Sequence, residues 1–89
     1  MMREVYLLSG HNSEVLNVKW HPLYSNQLVS CDIEGKICYW ILPDTLPVDS
    51  VIHTANNPIP NCDFDQQGDF CCSLSHDRTI KIWDIKDQA

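Results

Sequence analysis

The sequence predicts an all-β chain in which one antiparallel unit is written twice. Three observations predict it. Short strand-like runs recur every 9 to 12 positions, separated by breaks rich in Gly, Pro, Asn, Asp and Ser, and the last of them, Thr79 to Ile85, opens by alternating polar Thr79 and Lys81 with apolar Ile80 and Ile82. No 11-residue window carries apolar residues at the 3.6-residue spacing of a helix. The chain also repeats itself. Asp32-Ile33-Glu34-Gly35 followed by Lys36-Ile37-Cys38-Tyr39-Trp40-Ile41 returns 43 positions later as Ser75-His76-Asp77-Arg78 followed by Thr79-Ile80-Lys81-Ile82-Trp83-Asp84. Self-similarity at such an interval marks a repeat architecture, in which each copy is one supersecondary unit.

In chain order, Arg3-Glu4-Val5-Tyr6-Leu7-Leu8 is a first short strand, broken by the turn formers Ser9-Gly10-His11-Asn12-Ser13. Val15–Trp20 is a second strand, with Val18 and Trp20 on one face, and His21-Pro22 ends it because proline cannot donate to a ladder. Residues 27–31 and Lys36–Ile41 are the third and fourth. Pro43 and Pro47 bracket a loop. The cycle then restarts with residues 48–53, a turn at 54–58, a strand from 59 to 64 that holds an interior position from Asn61 on, then Phe70–Leu74 and residues 79–85. Trp20 aligns with Phe64 at a spacing of 44. Ser30 aligns with Ser73, Glu34 with Asp77, Ile37 with Ile80 and Trp40 with Trp83, all at 43.

These residues carry a resemblance. Gly10-His11, Val18-Lys19-Trp20-His21-Pro22, Leu28-Val29-Ser30 and Glu34-Gly35-Lys36-Ile37-Cys38-Tyr39-Trp40 resemble one WD repeat. Cys62-Asp63-Phe64, Cys71-Cys72-Ser73 and Asp77-Arg78-Thr79-Ile80-Lys81-Ile82-Trp83-Asp84 resemble a second. A Gly-His opening and a Trp-Asp ending some 40 residues apart are that family's signature. The resemblance implies one four-stranded β-propeller blade per repeat. The expected architecture is two four-stranded antiparallel WD-type blades forming an incomplete propeller over 1–89. Residues 3–8 would be an outer strand, 10–41 the first repeat and 48–85 the second.

In this family a His of the Gly-His turn, a Ser or Thr of the second strand, an Asp of the next turn and the Trp of the third strand form a hydrogen-bonded network. The resemblance therefore implies a network of His11, Ser30, Glu34 and Trp40 in the first repeat, with Glu34 standing where Asp is expected. In the second it implies Ser73, Asp77 and Trp83, while the Gly-His position falls on Thr54-Ala55. Ile41 stands where the first repeat would carry the Asp after its Trp. WD propellers bind proteins through the start of the first inner strand and the turn before the third. Glu14, Leu16, Ile33, Pro58, Pro60 and His76 are the matching positions. Leu16 and Ile33 together would make a small apolar patch of the kind that marks a contact site.

Composition narrows the function. Twelve acidic against six basic residues give a formal net charge of −6, and the basic residues are scattered, which disfavours a phosphate-binding surface and hence nucleic acid as partner. No apolar run approaches the roughly 20 residues a membrane helix needs, and Glu4 interrupts the only apolar start, so no membrane partner and no signal peptide are expected. The five cysteines then read as thiols of a reducing compartment, cytoplasm or nucleus. Cys31, Cys38, Cys62, Cys71 and Cys72 show no Cys-x2-Cys spacing, and adjacent Cys71 and Cys72 point to opposite faces of a strand, so they read as packing residues rather than metal ligands. His11, Ser30 and Glu34 are the residue types of a Ser-His-acid set, but no Gly-x-Ser-x-Gly elbow accompanies them. The expectation is no enzyme, no cofactor and no metal.

Two blades conflict with the three or more repeats that a stable array needs. The chain is then a segment of a longer propeller, or it assembles with copies of itself or another incomplete propeller, or it is a poorly stable remnant. The first is the expected outcome. The expected function is a protein–protein interaction scaffold or adaptor whose partners are other proteins, with further blades from the same or another chain. The alternative is a purely structural propeller segment without a partner of its own.

Overall fold

A computed structural model describes residues 2–52 and 57–85. It holds seven strands and, among the described residues, no helix: β1 (Val15–Trp20), β2 (Gln27–Asp32), β3 (Lys36–Ile41), β4 (Asp49–Ile52), β5 (Asn61–Phe64), β6 (Phe70–Leu74) and β7 (Ile80–Asp84). They form two antiparallel sheets in sequence order, β1-β2-β3-β4 and β5-β6-β7. The all-β expectation holds, and so does the out-and-back order of each unit. Among the described residues the second sheet has three strands rather than four.

The strands form where short apolar runs meet bordering turn formers; β2 and β3 are buried on both faces, and a one-residue slip would exchange the two sets of side chains they pack. Two elements differ. Arg3–Leu8 does not form a strand. A strand needs a partner edge, and among the described residues 2–8 pair with none; residues 2–7 are exposed, Leu8 packs on the first sheet, and Ser9 N–H donates to the Thr45 carbonyl at 3.1 Å. β1 contains a bulge: Val15 pairs with Asp32 and Asn17 with Cys31, leaving Leu16 as the extra residue. Such a bulge bends a strand and re-aims a side chain.

The two sheets pack face against face. Val29, Cys31 and Ile37 of the first meet Cys62 and Cys71 of the second, with Ile59 and Ile85 completing the cluster and Tyr39, Val51, Phe64 and Trp83 around it. Ile59 is fully buried and its N–H donates to the Asp32 carbonyl at 3.1 Å, so the connection into the second sheet is pinned on the first. Fully burying each of these branched side chains contributes about 1.5–3 kcal/mol. A smaller cluster of Leu28, Cys38 and Trp40 lies on the opposite face of the first sheet, covered by Leu8 and Leu42.

The hairpin turns repeat as well. Gly35 ends the β2–β3 turn at φ 90°, and Arg78, 43 positions later, ends the β6–β7 turn at φ 73°. The left-handed region costs a side-chain-bearing residue about 1–2 kcal/mol, while glycine's extra freedom in the unfolded chain takes back about 0.5–1 kcal/mol. Arg78→Gly is therefore expected to stabilise the chain by about 0.5 kcal/mol, a rise of about 2–4 °C in the unfolding midpoint. An unchanged or lower midpoint would show that Arg78 makes up the difference elsewhere.

Candidate functional site

Two features of the fold concern function, a buried network and an exposed rim, and they share one turn. The network starts at Trp40, whose indole N–H has no role but donor. It donates to Ser30 Oγ at 2.8 Å. Ser30 Oγ lies 2.6 Å from His11 Nε2, and His11 Nδ1 lies 2.7 Å from Asp32 Oδ2. A carboxylate only accepts, so Nδ1 carries the imidazole hydrogen; Nε2 then accepts from the Ser30 hydroxyl, and every group in the row is satisfied. Asp32 is 1% exposed, and its second oxygen accepts from the backbone N–H groups of Glu34 and Lys36, both at 2.9 Å. Gly10 comes before the histidine because a Cβ there would meet Pro47 Cδ at 2.9 Å and the Trp40 ring at 3.0 Å.

His11, Ser30 and Trp40 thus come together as the sequence implied, but the acid is Asp32 and not Glu34. Glu34 is exposed, and among the described residues no hydrogen bond or ion pair reaches its carboxylate. The reason is geometric. Ser30 and Asp32 lie two positions apart on β2 and project from the same face, where His11 spans them. Glu34 lies beyond the strand, in the turn. That two-residue spacing was the available signal.

In the second sheet Trp83 Nε1 donates to Ser73 Oγ at 3.0 Å, repeating the Trp–Ser pair. Ser75 stands at the position of Asp32 and is buried. Asp77 works within the turn: its Oδ1 accepts from Thr79 N–H at 3.0 Å and from the Thr79 hydroxyl, and its own N–H donates to Ser75 Oγ at 3.3 Å. The Thr54-Ala55 position that departs from Gly-His lies outside the described residues.

The rim runs along backbone hydrogen bonds. Ile33 N–H donates to the Glu14 carbonyl at 2.9 Å, and His76 N–H to the Pro58 carbonyl at 3.3 Å. Between them lies the Ile59–Asp32 bond. Pro60 is held by Asn17, whose side-chain amide donates to the Pro60 carbonyl at 3.5 Å and to Asn61 Oδ1 at 2.8 Å. Leu16 sits in the β1 bulge opposite the Cys31–Asp32 step. Leu16 and Ile33 are 36% and 40% exposed. Glu14 and His76 are exposed as well, whereas Pro58 and Pro60 are half-buried. The six residues reach one border of the molecule from both sheets.

His21, which read in the sequence as a plain turn residue, joins the sheets at the opposite border. Its Nδ1 accepts from the N–H groups of Leu23 and Tyr24 at 3.0 and 3.1 Å, which leaves Nε2 to donate to the Gly68 carbonyl at 3.1 Å. Its ring lies 4.9 Å from those of Tyr24 and Phe64. No spacing rule marks it, because its partner carbonyl is 47 positions away in the other repeat.

All five cysteines are free thiols, four of them buried and Cys72 exposed, as the alternation of Cys71 and Cys72 predicts. Burial pushes the Cys38 thiol up to about 11 and the Cys71 thiol up to about 12, so both stay protonated packing groups at neutral pH. A hydrogen bond with Cys31, with burial, raises Cys62 further. Among the described residues no three His, Cys, Asp or Glu side chains are grouped to hold a metal ion.

Two blades of stacked antiparallel strands, each with a tryptophan on its third strand bonded to a serine of its second, are WD-repeat blades. The sequence profile of the WD domain, G-beta repeat, matches residues 2–40 and 48–84, and the chain belongs to that family. Among curated relatives it is 32% identical over 79 residues to a WD repeat-containing protein 89 homolog of Dictyostelium discoideum, covering 85% of this chain and 22% of that one. It is 27% identical over 93 residues to polyadenylation factor subunit 2 of Yarrowia lipolytica, covering 91% of this chain and 18% of that one. The chain thus spans about a fifth of the length of these relatives. Its fold is also that of the C-terminal WD40 domain of Sif2, solved by crystallography, with a TM-score of 0.75 at 21% identity over 86% of this chain and 21% of that one.

Proposed function

We propose that this chain is a protein-binding scaffold segment built of WD blades, and that partner proteins dock on the rim formed by Glu14, Leu16, Ile33, Pro58, Pro60 and His76. One observation carries the reading: two exposed aliphatic side chains, Leu16 and Ile33, lie at one border with an exposed acid and an exposed histidine, on turns fixed by backbone hydrogen bonds and a buried network. Such a border offers a small apolar contact with a polar surround at little ordering cost. The reading is non-enzymatic. Ser30, His11 and Asp32 are joined in the order of a hydrolase triad, but Ser30 is 4% exposed and its Oγ is committed to the Trp40 N–H. Free thiols at five positions fit the cytoplasm or the nucleus.

The test is a pull-down comparing the wild-type chain with the Leu16→Asp, Ile33→Asp double variant. Both side chains are exposed, so circular dichroism is expected to be unchanged while bound proteins are lost. Unchanged recovery would remove this rim from the account. A second reading, a blade segment serving mainly to complete a larger array, is favoured by the uncovered apolar faces at both ends of the pair. Val18 and Trp20 are 51% and 60% exposed on one, Ile80 and Ile82 69% and 65% on the other.

A further inference from the structure

The border opposite the rim, where His21 ties the sheets together, carries charge of one sign. It consists of residues 20–27, 41–49 and 64–70 and the end of β7. These hold Asp44, Asp49, Asp65, Asp69 and Asp84 and no lysine or arginine. The rim's border is mixed, since Lys36 and Arg78 stand there among Glu14, Glu34 and Asp77. Among the described residues none of the five carboxylates opposite the rim forms an ion pair.

A groove of about 650 Å³ runs along this border between the two sheets. Leu23, Tyr24 and Val48 line it from the loops of the first sheet, Gly68 and Asp69 from the β5–β6 turn of the second. Each of these connections is flanked on both sides by strands of this chain. Leu23, Tyr24 and Val48 are 64%, 57% and 46% exposed. Two smaller hollows adjoin the groove. Asp49 and Asp84 line one that shares Tyr39 and Ile85 with it, and Asp44 lines one that shares Val48. Open apolar side chains are thus bordered by carboxylates. The walls are also fixed in advance. His21 N–H donates to the Gln27 carbonyl at 2.9 Å, Gly68 N–H to the Asp65 carbonyl at 3.2 Å and Ile85 N–H to the Asp69 carbonyl at 2.9 Å, while the His21 ring joins the two sides through the Gly68 carbonyl. A groove whose backbone is already set costs little ordering to fill.

We propose that this groove binds a basic segment of a partner protein, with an aliphatic side chain among Leu23, Tyr24 and Val48 and arginine or lysine side chains on Asp44, Asp69 and Asp84. Charge complementarity selects the occupant. An acidic segment is repelled by the carboxylates, and a purely polar basic one leaves the apolar side chains uncovered. Arginine suits both parts, since its stem lies along apolar surface while its head reaches a carboxylate. Its planar guanidinium also stacks on an aromatic face, which the exposed Tyr24 supplies. The groove adds a second surface to the scaffold and uses no residue of the rim, so the two are tested separately.

The experiment is fluorescence anisotropy of the whole chain with three labelled peptides of equal length. One alternates arginine with leucine, one glutamate with leucine, and one arginine with glycine. The first is expected to bind in the micromolar range, more weakly as salt is raised, and the other two about tenfold more weakly or less. Asp44→Lys with Asp69→Lys is expected to weaken the first about tenfold and to flatten its salt dependence. Leu23→Ser with Val48→Ser is expected to weaken it about tenfold with the salt dependence kept. Circular dichroism checks each variant, and Asp44→Asn with Asp69→Asn, which keeps the side-chain shape, replaces the lysine pair if that loses its β-sheet signal. The Leu16→Asp, Ile33→Asp variant is expected to bind as wild type. No binding of the arginine–leucine peptide, equal binding by the groove variants, a preference for the glutamate peptide, or loss of binding in the rim variant overturns the proposal. Sedimentation velocity without peptide accompanies it. Self-association that both groove variants abolish would give the groove to a second copy of the chain and likewise overturn the proposal.

Discussion

Gly68→Ala is expected to lower stability by about 3–5 kcal/mol, enough to leave a chain of this size largely unfolded. Two independent effects combine. Gly68 sits at φ 76°, where a Cβ costs about 1–2 kcal/mol. That Cβ would also lie 2.0 Å from Nε2 and 2.1 Å from Cε1 of His21. An imidazole held by three hydrogen bonds and packed between Tyr24 and Phe64 has no space to withdraw into, so it must give up the Gly68 carbonyl or its own turn. Each bond lost costs about 1 kcal/mol, more where a buried donor is left without a partner. Equilibrium unfolding in urea measures the change, and a midpoint within error of wild type would mean that His21 does not bind the sheets together. Gly10→Ala also lacks space, against Pro47 and Trp40, but no positive φ adds to it, and its effect is expected to be smaller.

Asp32→Ala is expected to cost about 3–5 kcal/mol, and Glu34→Ala less than about 0.5 kcal/mol. Asp32 receives three donors, His11 Nδ1–H and the backbone N–H groups of Glu34 and Lys36, in a place where solvent cannot replace it. Removing it strands all three and releases the tautomer that lets Ser30 donate to His11. Glu34 contributes only its backbone to that arrangement. Chemical denaturation of the two variants side by side separates the assignments, because a sequence reading centred on Glu34 ranks them the other way. Asp32→Asn retains an acceptor for one or two of the donors and is expected to fall between the two.

The contrast shows what the sequence carries and what it does not. Strand existence was legible wherever a short run of apolar and aromatic residues met a bordering turn former, as at Val15–Trp20, Lys36–Ile41 and Phe70–Leu74. Arg3–Leu8 carries an apolar run ended by turn formers and forms no strand, because such a run records a surface to be covered and not the edge to pair with. The internal repeat identified Ser30, Trp40, Ser73 and Trp83, whose neighbours lie along the same hairpin. It misassigned the acid, since similarity between Glu34 and Asp77 outweighed the two-residue geometry that links Ser30 to Asp32. His21 was invisible as a link because its partner is a backbone carbonyl, which no side chain advertises. The β1 bulge at Leu16 was equally silent, although it decides where that side chain emerges on the rim.

The central claim is that one buried carboxylate organises the turn that carries Ile33 to the rim. Amide hydrogen exchange at Glu34 and Lys36 tests it most directly, since both N–H groups end on Asp32 Oδ1 inside the blade. The account predicts that these two amides exchange slowly for a hairpin turn, together with the Trp40 indole N–H, in both the wild type and Glu34→Ala, and that the protection collapses in Asp32→Ala. Rapid exchange of Glu34 and Lys36 in the wild type, or protection that survives the loss of Asp32, would contradict it.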